Sequence, residues 1–138
     1  MNSNVKPFKS PIKLDSVVTP GKPGELYNIN SNEILKQLDI NFTISHIFFL
    51  NNLNTNESRG NHSNYSISEL LICMSGSFDI KLDDGKNETT YTIHKNEVIY
   101  VPENVWLSFF NFKNCVILVL VDKSKEDKTK KKSEYDYE

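Results

Sequence analysis

Arg59-Gly60-Asn61-His62-Ser63-Asn64, with Glu69 and Gly76 following at set intervals, settles the architecture of this chain. One residue separates His62 from Asn64, four separate Asn64 from Glu69, and six separate Glu69 from Gly76. Positions two apart in a strand point the same way, so His62 and Asn64 share a face. A second segment keeps a comparable order: Asn96, five residues, Pro102-x-Asn104, two residues, Leu107, three residues, Asn111. Asn is the residue besides Gly that most readily enters left-handed backbone conformations, so Asn96 and Asn104 are expected in turns.

Around these segments the signal is strand. Phe42 to Leu50 begins with alternation and ends in a continuous apolar run, as a strand packed on both faces does. Further strands are predicted at Glu69 to Met74, Ser77 to Leu82, Thr89 to Ile93, Val98 to Val101, Val105 to Phe112 and Cys115 to Val121. Asp83-Asp84-Gly85 supplies the positive backbone angles of a hairpin turn. Ile34, Leu35 and Leu38 stand at helical spacing behind the cap candidates Ser31 and Asn32, which predicts one short helix over Asn32 to Leu38. Many short strands with regular turns mean a sandwich or a barrel, so the fold class is all-β.

A chain of 138 residues, 38% hydrophobic and 25% charged, has room for one real core. Residues 1–122 read as a single domain, with 1–25 an extended arm that holds Pro7, Pro11, Pro20 and Pro23. From Lys123 to Glu138 the charges alternate without apolar periodicity, which reads as a solvated or partly disordered tail. A net charge of -2 argues against a nucleic-acid partner, which calls for a basic face. No run approaches the eighteen or so apolar residues of a membrane span, and Met1 to Lys6 lacks the apolar core of a signal peptide, so the expected compartment is the cytoplasm, with no membrane partner. Cys73 and Cys115 sit in apolar runs and read as reduced core residues.

The intervals of the two segments resemble those of the cupins, in which the first runs His-x-His, Glu, Gly and the second Gly, Pro-x-Gly, His, Asn. With Gly76-Ser77, Leu82-Asp83-Asp84-Gly85, Val105-Trp106 and Tyr135-Asp136 added, the chain resembles the dTDP-sugar 3,4-ketoisomerases of the WxcM-like cupin group. That resemblance implies a jelly-roll barrel of antiparallel strands with at most one short helix, a homodimer, and no metal or other cofactor. It implies a ligand that is a dTDP-linked 4-keto-6-deoxy sugar, whose keto group moves to carbon 3 in the biosynthesis of bacterial surface glycans, lipopolysaccharide among them.

The chemistry calls for a base beside a ketone and donors for the enediolate that follows. His62 is the candidate catalytic base, since imidazole exchanges protons near neutrality. Arg59 is a candidate substrate contact for a diphosphate or a developing oxyanion, and an ion pair is its plainer reading. Asn64, at the second histidine of the family pattern, is a candidate sugar contact. His46 is a further candidate on the strand that carries Phe48, and a core or interface histidine is its plainer role. Trp106 is a candidate stacking surface, with packing as the alternative. Tyr65 alternates away from His62 and reads as structural. Phe48-Phe49 stand where the family has a Tyr pair and Leu107 where it has His, and neither Phe nor Leu donates a hydrogen bond. The alternative function is therefore a cupin that binds a nucleotide sugar without turnover. A metal ion is not expected, because only His62 and Glu69 remain at ligand positions.

Overall fold

Residues 8–122 are described by a computed structural model of the chain. The expected tail at 123–138 and the first seven residues of the arm lie outside them. The elements in chain order are β1 (Ile12–Lys13), β2 (Ser16–Val17), β3 (Leu26–Tyr27), α1 (Ser31–Leu38), β4 (Ile44–Leu50), β5 (Arg59–Ser63), β6 (Glu69–Asp83), β7 (Glu88–His94), β8 (Glu97–Val101) and β9 (Trp106–Asp122). Every strand pairing is antiparallel.

Two strands are longer than the sequence predicts. The segments read as separate strands on either side of Ser75-Gly76 form the 15-residue β6, and those on either side of Lys113-Asn114 form the 17-residue β9. What reads as a break is a bend. The β6/β9 register shifts between Cys73 and Ser75, between Ser75 and Ser77, and between Ser77 and Asp79. Such bulges add twist and curvature while the strand continues.

The bent pair serves two layers. In the first, Glu69–Ile72 of β6 lies between β8 and the second half of β9, with β1 and β4 at the edges. In the second, Ser77–Asp83 lies between β7 and the first half of β9, and β5 adds beyond β9. Leu71, Cys73, Phe78, Ile80, Leu82, Ile99, Leu107, Phe109, Ile117 and Val119 meet between the layers. The outer face of the first layer is apolar as well, where Leu70, Ile72, Val98 and Leu120 pack on Leu14, Ile34 and Leu38. Covered on both sides, that layer reads as continuous apolar sequence, whereas Phe78-Asp79-Ile80-Lys81-Leu82-Asp83 alternates because its outer side is wet.

α1 begins one residue before the predicted span. Its cap is Asn30, in extended backbone, whose side chain accepts a 3.2 Å bond from the Glu33 N–H. Asp39 ends the helix in the left-handed region. The hairpin after β6 spans Asp84 to Asn87, where Asp84 Oδ1 takes the Lys86 and Asn87 amides at 2.8 and 2.7 Å. Those donors hold the Asp84 carboxyl below its ordinary value. Cys73 and Cys115 are buried and free, and burial pushes the Cys73 thiol up to about 11.

Gly76 pins the bend. Its φ is +62°, and a Cβ there would stand 1.9 Å from the Lys113 carbonyl oxygen and 2.6 Å from that of Asn114. Those are backbone atoms, which cannot step aside as a side-chain tip does. Gly76→Ala is therefore expected to cost about 3–5 kcal/mol from combined backbone strain and overpacking. Urea denaturation of the variant, or its failure to accumulate as native protein, is the check.

Candidate active site

β5 carries the motif, and its register on β9 decides where the motif points. Arg59 faces Phe109, Gly60 faces Ser108, His62 faces Leu107, and Ser63 faces Trp106. Arg59 and His62 are three residues apart and in a regular strand would face opposite sides. The register slips between Gly60 and His62, where Gly60 has φ +85° and Asn61 φ +60°. This bulge swings both side chains to the face of Leu107 and Phe109, which are 1% and 4% exposed and belong to the core between the layers. The bulge is braced by Ser108 Oγ, which donates to Asn61 Oδ1 at 2.8 Å.

Alternation carries the same inward direction past β5 to Asn64, which is 3% exposed. Asn64 Nδ2 donates to Glu69 Oε1 at 2.8 Å, and the Asn64 carbonyl accepts from the Asn104 N–H at 2.8 Å. Its amide oxygen is buried and has no hydrogen-bond partner among the described residues. Glu69, at the start of β6, pairs with Val121 of β9, and Val121 pairs in turn with His46 of β4. His46 and Phe48 thus share the inward face, and Phe48 packs on the core. His46 itself is exposed and contacts Ser45 Oγ at 3.3 Å through Nδ1.

Arg59, His62 and Asn64 thus turn inward from the second layer and His46 from the edge of the first, and Trp106 does not join them. It pairs with Ser63 and Asp83 on the opposite face. There it borders a cleft of about 520 Å³ with Lys81, Asp84, Gly85 and Asn104. Strand alternation, which separates Trp106 from Leu107, carried this signal. His94 is bound through its backbone N–H and Nδ1 to Glu97 Oε1 at 2.7 and 3.1 Å. Glu69, which stands at a metal-ligand position in the sequence, holds the Asn64 amide, a role that its spacing alone does not signal. Among the described residues no three His, Cys, Asp or Glu side chains group as a metal site would require.

Two bent strands shared by two antiparallel layers, with a motif-bearing edge strand facing the interior, define a cupin jelly roll. The chain matches the family described as FdtA, WxcM-like, C-terminal, over residues 16–137, and it belongs to that family. It is 30% identical over 99 residues to the TDP-4-oxo-6-deoxy-alpha-D-glucose-3,4-oxoisomerase of Aneurinibacillus thermoaerophilus, covering 70% of this chain and 68% of that protein. Among solved structures it resembles the TDP-quinovose 3,4-ketoisomerase WlaRB of Campylobacter jejuni, with a TM-score of 0.72, 26% identity, and 90% and 91% of the two chains covered. It also resembles a histidine-to-asparagine variant of the 3,4-ketoisomerase QdtA of Thermoanaerobacterium thermosaccharolyticum in complex with TDP-4-keto-6-deoxyglucose. There the TM-score is 0.69 at 26% identity, with 87% and 83% covered.

The bulge makes a sharp test of this geometry. A Cβ on Gly60 would lie 2.8 Å from Leu107 Cδ1 and 3.2 Å from the Leu107 carbonyl oxygen. The Leu107 tip can yield, so Gly60→Ala is expected to fold at a cost of about 1–3 kcal/mol while Arg59 and His62 lose their common direction. Turnover of a TDP-keto-sugar is expected to fall roughly 10²-fold, the penalty for misplacing reacting groups by about 1 Å. Thermal unfolding and progress curves on the same sample separate the two effects.

Proposed function

We propose that this protein is a sugar 3,4-ketoisomerase acting on a dTDP-4-keto-6-deoxyhexose, with His62 as base. The observation that carries the reading is the bulge in β5 that turns Arg59 and His62 to one inward face. The relatives, ketoisomerases at 26% and 30% identity, support it. His62 takes the proton from carbon 3, and the released electron pair forms the C3–C4 double bond as negative charge moves onto the carbonyl oxygen at carbon 4. Arg59 offsets that charge. The imidazolium returns a proton to carbon 4, the hydroxyl at carbon 3 gives up its proton as it becomes the carbonyl, and the oxygen at carbon 4 gains one. Substrate and product are isomers, so the step needs no redox partner. Asn64 contributes hydrogen bonding, and Phe48 and Leu107 contribute only an apolar wall. His46, exposed on the inward face of β4, is read as a contact to the distal part of the ligand.

The reading carries with it a cytoplasmic step toward bacterial surface glycans, as the family resemblance implies. None of the described helices is long and apolar enough to cross a membrane. Its test is incubation of the full chain with dTDP-4-keto-6-deoxyglucose in deuterium oxide, following the proton beside the carbonyl by NMR. Exchange is expected, and His62→Asn is expected to slow it roughly 10²–10⁴-fold, the usual weight of a general base. Binding without exchange in the wild type overturns the reading.

The homodimer belongs to the same proposal. β4 is an edge strand whose outward Ile47 and Phe49 are 62% and 64% exposed. Large apolar groups in that position favour coverage by a second copy. Phe49→Lys is expected to shift the sedimentation coefficient from that of a dimer to that of a monomer, and a wild type that sediments as a monomer refutes the assembly.

A further inference from the structure

Trp106 is the only tryptophan of the chain, and the fold sets it outside the core. Its strand position faces away from Leu107, it is half-buried, and it belongs to neither of the two apolar clusters. Core packing would have taken a large apolar surface out of water, so folding alone does not account for the placement. On the outer face of the second layer Trp106 instead lines the cleft of about 520 Å³ beside the β6–β7 hairpin. That volume falls within the roughly 300–1,000 Å³ of small-molecule sites.

The rest of the lining is polar, and the hairpin holds part of it in place. Asp83 Oδ1 accepts the Gly85 amide at 2.8 Å, and Asp84 Oδ1 accepts those of Lys86 and Asn87. Each carboxylate is thus fixed by one oxygen and keeps Oδ2 as an acceptor. Asp84, held below its ordinary carboxyl value, is ionised at neutral pH. Lys81 lines the same cleft and is paired with Glu88 at 3.3 Å. Two carboxylates and one ammonium in one lining penalise an incoming ion of either sign. Ser63 and Asn104 add groups that both donate and accept. A neutral polyol meets these demands together. Its hydroxyls donate to the carboxylates, and the positively polarised C–H groups on one face of a pyranose ring suit the negative face of an indole. We propose that this cleft is a binding site for a neutral saccharide, on the face opposite Arg59 and His62. The proposal stands apart from the ketoisomerase reading and needs no turnover.

With one tryptophan in the chain, the indole N–H of Trp106 gives one side-chain signal in the proton–nitrogen NMR spectrum of the ¹⁵N-labelled full chain. Titration with methyl hexopyranosides of gluco, galacto and 6-deoxy configuration is expected to move that signal and the Gly85 amide along a saturable curve for at least one of them. A Kd on the order of 1–10 mM suits so open a cleft. Trp106→Ala, followed through the Gly85 amide, is expected to weaken binding at least tenfold. Should that variant fail to fold, Asp83→Ala decides, with a loss of roughly tenfold, the weight of a hydrogen bond to a charged group. No saturable shift at about 100 mM glycoside overturns the proposal, as does binding that the variant leaves unweakened. dTDP and tetramethylammonium are expected to leave the indole signal in place. If either moves it more strongly than every glycoside, the cleft belongs to an ion and the proposal falls. A signal that moves with protein concentration instead would put a second copy of the chain in the cleft and overturn it as well.

Discussion

The structure depends on the contact between Gly76 and the carbonyls of Lys113 and Asn114. Two strands that each run through both layers must bend at the same level, and they do so where a hydrogen atom replaces a side chain. Because β6 and β9 are central in both layers, the bend fixes the angle between the layers and the depth of the apolar core. It also fixes the line along which β4 and β5 attach, since both pair with the same edge of β9 at different heights. The inward direction of the site residues is downstream of that one close approach.

Much of this was legible because the local rules agree. Asn96 and Asn104, read as turn formers at glycine positions, have φ of 69° and 62°, and Asn111 joins them at 54°. The apolar runs around Cys73 and Cys115 are strands covered on both faces, and the alternation from Phe78 to Asp83 is a strand wet on one. The continuity of β6 and β9 was not legible, because Gly76 and Asn114 carry the same signature in a bulge as in a loop. The helix cap was missed by one residue for a similar reason, since Asn30, Ser31 and Asn32 are all suitable capping types.

The site was legible in position more than in relation. Spacing placed His62 and Asn64 on one face, and alternation sets Trp106 opposite Leu107, but nothing in the sequence says that a bulge brings Arg59 to the face of His62 too. Glu69 shows the limit well. Read alone it is a carboxylate at a ligand position; in the fold it is the anchor of Asn64. The exchanges at Phe48 and Leu107 are equally relational, for both side chains complete the apolar cluster between the layers.

β5 is five residues long and, among the described strands, pairs with β9 alone. Its neighbour β9 is held on its other side by β6 throughout and loses little if β5 departs. Elements with few backbone partners sit at the low end of the local stability range and open without global unfolding. The strand that bears Arg59 and His62 is thus the rim of the sandwich with the fewest strand partners. Hydrogen exchange should find its amides exposed on a faster timescale than those of β6, and the interior reached through that rim is open to solvent in proportion to how often the rim lifts.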